Sequence, residues 1–517
     1  MMEERLMIFY FLTQMIDFNV SGIEHAEIKR LHLFHRFDQA AKIATRNYNR
    51  YLTLNLHRHG LHQADSMNMF DYFQGTLDYH AKRATQADVT IAGTTVVHDN
   101  TRFDYLKAGQ KVASVFVFTD PKHYVENQIE EIQYYGATGQ IWRIDYYDVR
   151  GFKSSTDYRD QEGKLSRQVM YDLNGQVKIE SFWRQQGDND VAAIYQLDYQ
   201  NKLWFFRDLD EMLGFFYDEL VRTSDHQAGF IGDRLYITDP GMHQMQEWAP
   251  RYGYWHNVHT YDPDAVWTGK LNDVLVDQMT HADMWRALIT PTSRQSHDVQ
   301  SRMTGGLRVK TIPGPIVPDE QLAAARVPFS ARTPYKIIDI ARIHEQKRLD
   351  HLLAAFIQVH AQFPAATLEI HGYVNEQKIK DDLLQQARDG GVADAVALID
   401  YTPDLGAVYD SAQIFAMSSR YEGFPLSLVE AASHGVPLIS YDVNYGPEEI
   451  IDDGKNGYLV EKGNIDALAA AMIKALSDQA KLAEMSTASY EIAKRFSEPN
   501  VWQLWHDLVV KDAEAHL

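Results

Sequence analysis

The sequence predicts an α/β protein of two doubly wound domains, the first of them interrupted by an antiparallel β-meander. Three observations carry that expectation. The chain opens with an apolar run, a glycine loop, a helical pattern and a second apolar run, all within residues 6–46, which is the order of a parallel strand–helix–strand unit. From Tyr335 onward, short apolar runs again alternate with helical patterns. Between the two, over residues 70–205, side chains alternate in period two and are rich in Tyr, Trp and β-branched types, the pattern of antiparallel strands. The expected organisation is a first α/β domain from residues 1–69 and 206–308, a meander at 70–205, a second α/β domain at 309–497 and a terminal helix at 498–517.

Length and composition set the bounds. At 517 residues the chain exceeds one ordinary core, so two or three domains are expected. Its 45% apolar and 12% aromatic content suits packed cores rather than a disordered chain. The net charge of −21, without any Lys/Arg run, disfavours non-specific binding to nucleic acid or acidic lipid. The absence of cysteine excludes thiol catalysis, disulfides and cysteine-ligated zinc. The opening Met-Met-Glu-Glu-Arg-Leu-Met-Ile-Phe-Tyr-Phe-Leu is acidic with a short apolar run, unlike the basic start and small-residue cleavage site of a signal peptide. No segment reaches the ~18–20 uninterrupted apolar residues of a membrane span. The expected location is the cytoplasm, at most peripheral to the inner membrane face.

In order, Leu6–Met15 reads as a buried strand, Ile23, Ala26, Leu31 and Phe34 as one face of a helix, and Ala40–Arg46 as a second strand. The loop Ser21-Gly22 falls where such folds bind ligands, while a serine before a helix is also a plain cap. In the meander, Gln140–Arg150, Leu165–Leu173, Gln176–Trp183 and Ala193–Tyr199 read as strands of a sheet of about five or more. Asn174-Gly175 signals a hairpin, and Gly163-Lys164 and Gly187-Asp188 further turns. Such an aromatic meander is expected either to self-associate or dock a partner, or to be an insertion with its own small core. The α/β pattern resumes with a helix at Leu209–Arg222, strands at Phe230–Ile237 and Tyr254–His259, a helix at Leu271–Thr280 and a strand at Arg286–Thr290. Ile312-Pro313-Gly314-Pro315 reads as a rigid crossing between domains. Beyond it come a strand at Tyr335–Ile340, a helix at Leu349–Gln362, a strand at Thr367–His371, a helix through Gln386, and short strands at Ala395–Ile399, Ile414–Met417 and Pro437–Ser440. Val501–Ala515 reads as an amphipathic helix that packs through Trp502, Trp505, Leu508 and Val509.

The densest chemistry lies in Ser418–Pro437. Glu422 and Glu430 stand with seven residues between them, and Gly423-Phe424-Pro425 follows the first. Leu426, Val429 and Ala432 recur at helical spacing as a buried face, leaving Glu430 on the other side. Gly423 lets the backbone approach a ligand, and Pro425 suits the first position of a helix. The N-terminus of that helix attracts phosphate, and two acids beside it suit sugar hydroxyls flanking a diphosphate. Arg342 and Lys347, just past the strand Tyr335–Ile340, add a guanidinium fork and a mobile point charge for phosphate oxygens; alone, they would pass for solvated surface cations. The acid pairs Asp188/Asp190, Asp208/Asp210 and Asp262/Asp264 lie in turns or helix starts, and no metal is expected there.

These residues resemble the retaining glycosyltransferases of family 4, which have the GT-B fold of two Rossmann-like domains facing across a cleft. Glu422 to Glu430 matches their Glu–seven residues–Glu motif. Asp339-Ile-Ala-Arg-Ile-His-Glu-Gln-Lys347 matches their strand followed by Arg and, five residues on, Lys; Tyr441 to Gly457 matches the segment that follows. The motifs cover roughly residues 335–465. The β-insertion resembles that of a narrower group, the poly(polyol-phosphate) teichoic acid α-glycosyltransferases and the enzymes that first glycosylate serine-rich surface adhesins.

The resemblance implies roles. Arg342 and Lys347 would hold the diphosphate and stabilise charge on the departing nucleotide. Glu430 would accept hydrogen bonds from the ribose and Glu422 from the transferred sugar, with backbone groups of Gly423, Phe424, Pro425 and Leu426 completing the cradle. His259 falls where the family places a histidine near the reacting centre, with His256 as its neighbour and competitor, and Gly22 would let the first loop approach the donor phosphates. Configuration would be retained by same-face attack, the acceptor hydroxyl entering as the diphosphate leaves and takes the proton; no metal or other cofactor is required. The implied donor is a UDP-sugar carrying glucose or N-acetylglucosamine. For the acceptor, the first loop Ser21 to Ala26 looks like the adhesin-priming enzymes, and Asp442 to Gly446 like the teichoic acid enzymes. The negative charge favours a neutral Ser/Thr-rich peptide over a polyphosphate. Homo-oligomerisation through the insertion is expected. A non-catalytic acceptor-binding subunit is the competing class, opposed by the intact acid pair and cations. A dinucleotide-dependent oxidoreductase lacks the full Gly-x-Gly-x-x-Gly after the first strand.

Overall fold

The computed structural model describes residues 7–511 apart from 80–81, 100, 187–188, 304–305, 401 and 403. Contacts divide the chain into two compact units: residues up to Leu31 with Asp38–Pro250, and His32–Phe37 with the chain from Arg251 onward.

In the first unit Ile8–Thr13 pairs in parallel with Ala228–Gly232 on one side and Ala41–Thr45 on the other, and Ser66–Asn68 extends the sheet. Phe9, Phe11 and Leu12 are fully buried, because a parallel strand is covered on both faces, and the run is therefore apolar throughout rather than alternating. The helix Gly22–Arg36 follows, closed by a capping box in which Ser21 Oγ accepts from the Ile23 N–H and the Glu24 carboxylate from the Ser21 N–H at 2.8 Å. The strand expected at Phe230–Ile237 stops at Gly232, and Leu235–Gln244 is a helix. Two facts account for this. The Asp233 carboxylate is buried against Arg30, and Leu235, Thr238 and Met242 form a buried helical face.

The meander is a ten-stranded antiparallel sheet in which every strand pairs with its neighbour in sequence, from Thr95–Asp99 to Lys202–Phe206. One strand that sequence patterning missed, Lys153–Arg159, buries Ser154, Ser155, Thr156 and Asp157, so no apolar alternation marks it. At Gly139, Gly163 and Gly175, with φ of +85°, +81° and +77°, the N–H bonds back to the carbonyl three residues earlier. Each is a type I turn closed by a left-handed glycine, so the Asn174-Gly175 hairpin is longer than the two-residue loop typical of that dipeptide. The Gly187-Asp188 turn lies outside the described residues. The insertion has its own core of Phe103, Tyr105, Val115, Ile129 and Ile132. It is also tied to the polypeptide before it by buried Arg150, which pairs with Asp148 at 2.7 Å and Asp71 at 2.8 Å.

The second unit carries three short parallel strands, Arg251–Tyr254, Ala287–Thr290 and Val309–Thr311. The strand expected at Tyr254–His259 thus ends where it was expected to begin, since the residues after Tyr254 turn away to pack on loops. The segment before Ile312 is a strand rather than plain linker. A separate six-stranded parallel sheet runs Val396–Ile399, Thr367–His371, Lys336–Ile340, Ile414–Met417, Leu438–Asp442, Gly457–Glu461. Its strand order reverses between Lys336–Ile340 and Ile414–Met417, and open sheets of this kind bind ligands at the carboxyl ends of that central pair. The final helix Glu498–Trp505 passes into a π turn at His506–Val510. Trp502 stacks on Phe37 at 5.0 Å, and Trp505 meets Phe34 and Tyr254 at 5.9 Å; the expected helical residues after 511 lie outside the described ones. Among the described residues no helix is long and apolar enough to cross a membrane.

Candidate functional site

The two central strands of the six-stranded sheet run into loops that grip each other. Lys336–Ile340 leads to the turn Glu345–Lys347, and Ile414–Met417 to the start of the acid-pair stretch. Lys347 Nζ donates to Glu422 Oε1 at 2.6 Å across 75 residues of sequence, with side chains 18% and 9% exposed. Ser418 Oγ donates to the Lys347 and Arg348 carbonyls at 2.9 and 2.8 Å, the Arg420 N–H to the Gln346 carbonyl at 2.8 Å, and Gln346 Nε2 to the Tyr421 carbonyl at 2.9 Å. Behind the pair Asp339 is 1% exposed, with Oδ1 accepting no hydrogen bond among the described residues. Burial pushes its carboxyl up to about 7, against the pull of the Lys347 ammonium and with the help of the Glu422 carboxylate. Arg342 leaves the same strand half-buried and, among the described residues, makes no side-chain hydrogen bond or ion pair. A guanidinium so placed suits an anionic ligand.

The helix after the first acid is Leu426–Ser433, with Pro425 as its N-cap rather than its first residue. Leu428, Val429, Ala431 and Ala432 are buried and Leu426 only partly so, which turns the buried face slightly from the one expected. Glu430 is half-buried opposite it, and Tyr409 Oη donates to Glu430 Oε2 at 3.0 Å. Gly423 meets a steric demand from the protein's own backbone. A Cβ there would stand 1.9 Å from the His256 carbonyl oxygen, so the close backbone approach expected at this glycine is made to His256 and Asn257. Phe424 meets Phe496 edge-on at 5.6 Å.

His259 is fully buried. Its Nε2 lies 3.1 Å from the Val266 carbonyl, its ring stacks over Tyr445 at 6.1 Å, and burial holds its pKa below the ordinary histidine value. It holds the segment between Val258 and Val266 in place. His256 is only partly buried, 4.3 Å from the Tyr254 ring, and supplies the carbonyl against Gly423. Gly22 opens its helix in the first unit, inside the Ser21–Glu24 capping box. Of the acid pairs, Asp208 caps the helix Leu209–Thr223, and Asp264 accepts from Arg420 at 2.7 Å and pairs with Lys462. Asp188 lies outside the described residues.

The Lys347–Glu422 bond was not among the roles read from the sequence, which gave Lys347 to a diphosphate and Glu422 to a sugar, and three residues around these loops were not singled out. Asp339 was signalled as an acid inside an apolar strand. Tyr409 and Tyr445 carry no such signal, since buried tyrosines are common in cores. Tyr445 packs with Val258, Val266 and Tyr421 and donates its hydroxyl to Asp298 at 2.8 Å. A cavity of about 580 Å³ borders the same loops, lined in part by Tyr261, His344, Gln346, Arg348, Arg420 and Tyr421.

Residues 323–492, which hold Arg342, Lys347, Glu422 and Glu430, are similar to the family described as glycosyl transferases group 1. A stretch of 207 residues is 36% identical to the UDP-N-acetylglucosamine--peptide N-acetylglucosaminyltransferase GtfA subunit of Streptococcus gordonii, covering 38% of this chain and 40% of that one. Another of 172 residues is 33% identical to the poly(glycerol-phosphate) alpha-glucosyltransferase of Bacillus subtilis, covering 33% of this chain and 25% of that one. The chain therefore spans less than half the length of these relatives. The solved pneumococcal O-GlcNAc transferase GtfA in complex with UDP and GlcNAc superposes with a TM-score of 0.79 at 21% identity, covering 99% of this chain and 100% of that one. The fold class is GT-B, as the resemblance implied.

Proposed function

We propose that this chain is a retaining glycosyltransferase that moves glucose or N-acetylglucosamine from a UDP-sugar to hydroxyls of a surface-bound acceptor, Ser/Thr of a serine-rich polypeptide. The observation that carries the reading is the Lys347–Glu422 pair at 2.6 Å, at the point where the sheet's strand order reverses, with Arg342, which pairs with no acid among the described residues, following the same strand as Lys347. In this scheme Arg342 and Lys347 bind the diphosphate and neutralise charge as it departs. Glu422 and Glu430 accept hydrogen bonds from the sugar and ribose, with backbone groups from Gly423 to Leu426 completing the cradle. The acceptor hydroxyl enters on the face the diphosphate leaves, and a diphosphate oxygen takes its proton, so the protein's task is positioning and electrostatic stabilisation. Two fixed cations do this without a metal. His259, buried on Val266, acts by positioning its loop. The names of the relatives support a UDP-sugar donor. We further assign the protein to the cytoplasm and to a homo-oligomer formed through the meander.

A second reading, a poly(polyol-phosphate) teichoic acid α-glucosyltransferase, is supported by the 33% identity to the Bacillus enzyme. A third, a non-catalytic acceptor-binding subunit, would bind acceptor without turnover. The deciding experiment supplies UDP-glucose and UDP-N-acetylglucosamine with a Ser/Thr-rich peptide and with poly(glycerol-phosphate), and follows UDP release and sugar transfer. Turnover should fall by about 100-fold or more in Lys347→Ala and Glu422→Ala; unchanged turnover in both would sink the catalytic reading. Polyphosphate binding should weaken steeply with salt and peptide binding should not.

A further inference from the structure

We propose that Tyr409 is a positioning residue for Glu430, holding the carboxylate in the orientation that receives the ribose of a nucleoside diphosphate. The inference rests on the donor-binding reading above. Tyr409 sits on the helix Gly406–Ser411, 2% exposed, and its hydroxyl donates to Glu430 Oε2 at 3.0 Å. Burial and the neighbouring Glu430 carboxylate raise the phenol well above its ordinary pKa, so the bond runs one way, from phenol to carboxylate. A buried phenol is usually satisfied by a backbone carbonyl or by water. Here it spends its only proton on a half-buried acid of the site.

The donor itself is fixed by three ties that do not involve Glu430. The Tyr409 ring stacks on His434 at 5.2 Å with 22° between the planes. The adjacent Asp410 holds His434 Nδ1 at 2.7 Å. Buried Arg332 donates to the carbonyls of Tyr409 at 2.9 Å and Ala412 at 2.8 Å, and to that of His434 beyond the second acid's helix. The helix bearing Tyr409 and the helix bearing Glu430 are thereby locked as one body. A glutamate otherwise samples several rotamers and loses that freedom when a ligand binds; holding it beforehand removes that cost.

The test compares UDP with 2′,3′-dideoxy-UDP by titration calorimetry on the full chain. Wild type should prefer UDP. In Tyr409→Phe, which keeps the ring and its stack, that preference should shrink by about 10-fold and the donor KM should rise while kcat changes little. Tyr409→Met, also lacking the hydroxyl, should repeat the effect and guards against a folding defect peculiar to one variant. An undiminished preference in both folded variants overturns the inference and leaves the donor reading standing. Failure of the wild type to bind UDP overturns both. A variant that only melts earlier, with the UDP preference intact, assigns Tyr409 to the core alone and likewise overturns the proposal.

Discussion

Glu422 and Lys347 are each other's counter-ion, and both are largely withdrawn from water. Removing one leaves the other poorly compensated, so Glu422→Ala is expected to destabilise the chain by about 3 kcal/mol as well as to stop turnover; a chemical denaturation curve separates the two effects. Gly423→Ala is the sharpest steric test, because the contact 1.9 Å away is backbone and cannot swing aside. The melting temperature should fall by several degrees, and a wild-type Tm in that variant would contradict the packing described. Asp339 has a pH signature. Its folded pKa of about 7 lies above the unfolded value of about 3.9. Its contribution to stability is thus present below the unfolded value and lost as pH rises through the folded one. Unfolding free energy should decline between about pH 4 and about pH 7 by up to the order of 4 kcal/mol, and the slope should flatten in Asp339→Asn; equal slopes in the two proteins would refute it.

At the scale of elements, the segment after Arg251–Tyr254 is held to the acid-pair loop by contacts of two kinds. Asp264 with Arg420 and Lys462 is half-exposed, and such pairs contribute roughly 0–1 kcal/mol. The Tyr445–Asp298 bond is buried, and losing it strands a carboxylate at a cost of about 1–3 kcal/mol. Tyr445→Phe should therefore lower stability measurably and Asp264→Ala hardly at all, the comparison being made in urea at one ionic strength. Elements with apolar periodicity were legible beforehand, including Leu349–Gln362, Thr367–His371 and Ile414–Met417, whose bounds agree to the residue. One of those not anticipated buries polar groups instead. Lys153–Arg159 satisfies Thr156 with Asp145 at 2.7 Å, a bond no periodicity reveals.

At the scale of the whole molecule, the meander ends in two edge strands. Val96 and Val97 on one are 47% and 51% exposed, and Leu203 and Phe205 on the other 58% and 59%. Bare apolar edges invite pairing with another chain, which supports the proposed self-association. Sedimentation should find an oligomer in wild type that dissociates in Leu203→Lys with Phe205→Glu, and a monomeric wild type would refute it. The sequence by itself determined the α/β class and the inserted antiparallel sheet, because hydrophobic period is written residue by residue. Tertiary structure alone decided the rest. That Gly423 serves the His256 backbone, that His259 is buried, and that Tyr409 holds Glu430 depend on which distant backbones and hydroxyls arrive at one point. Such meetings are set by packing across many residues of sequence and leave no local pattern to read.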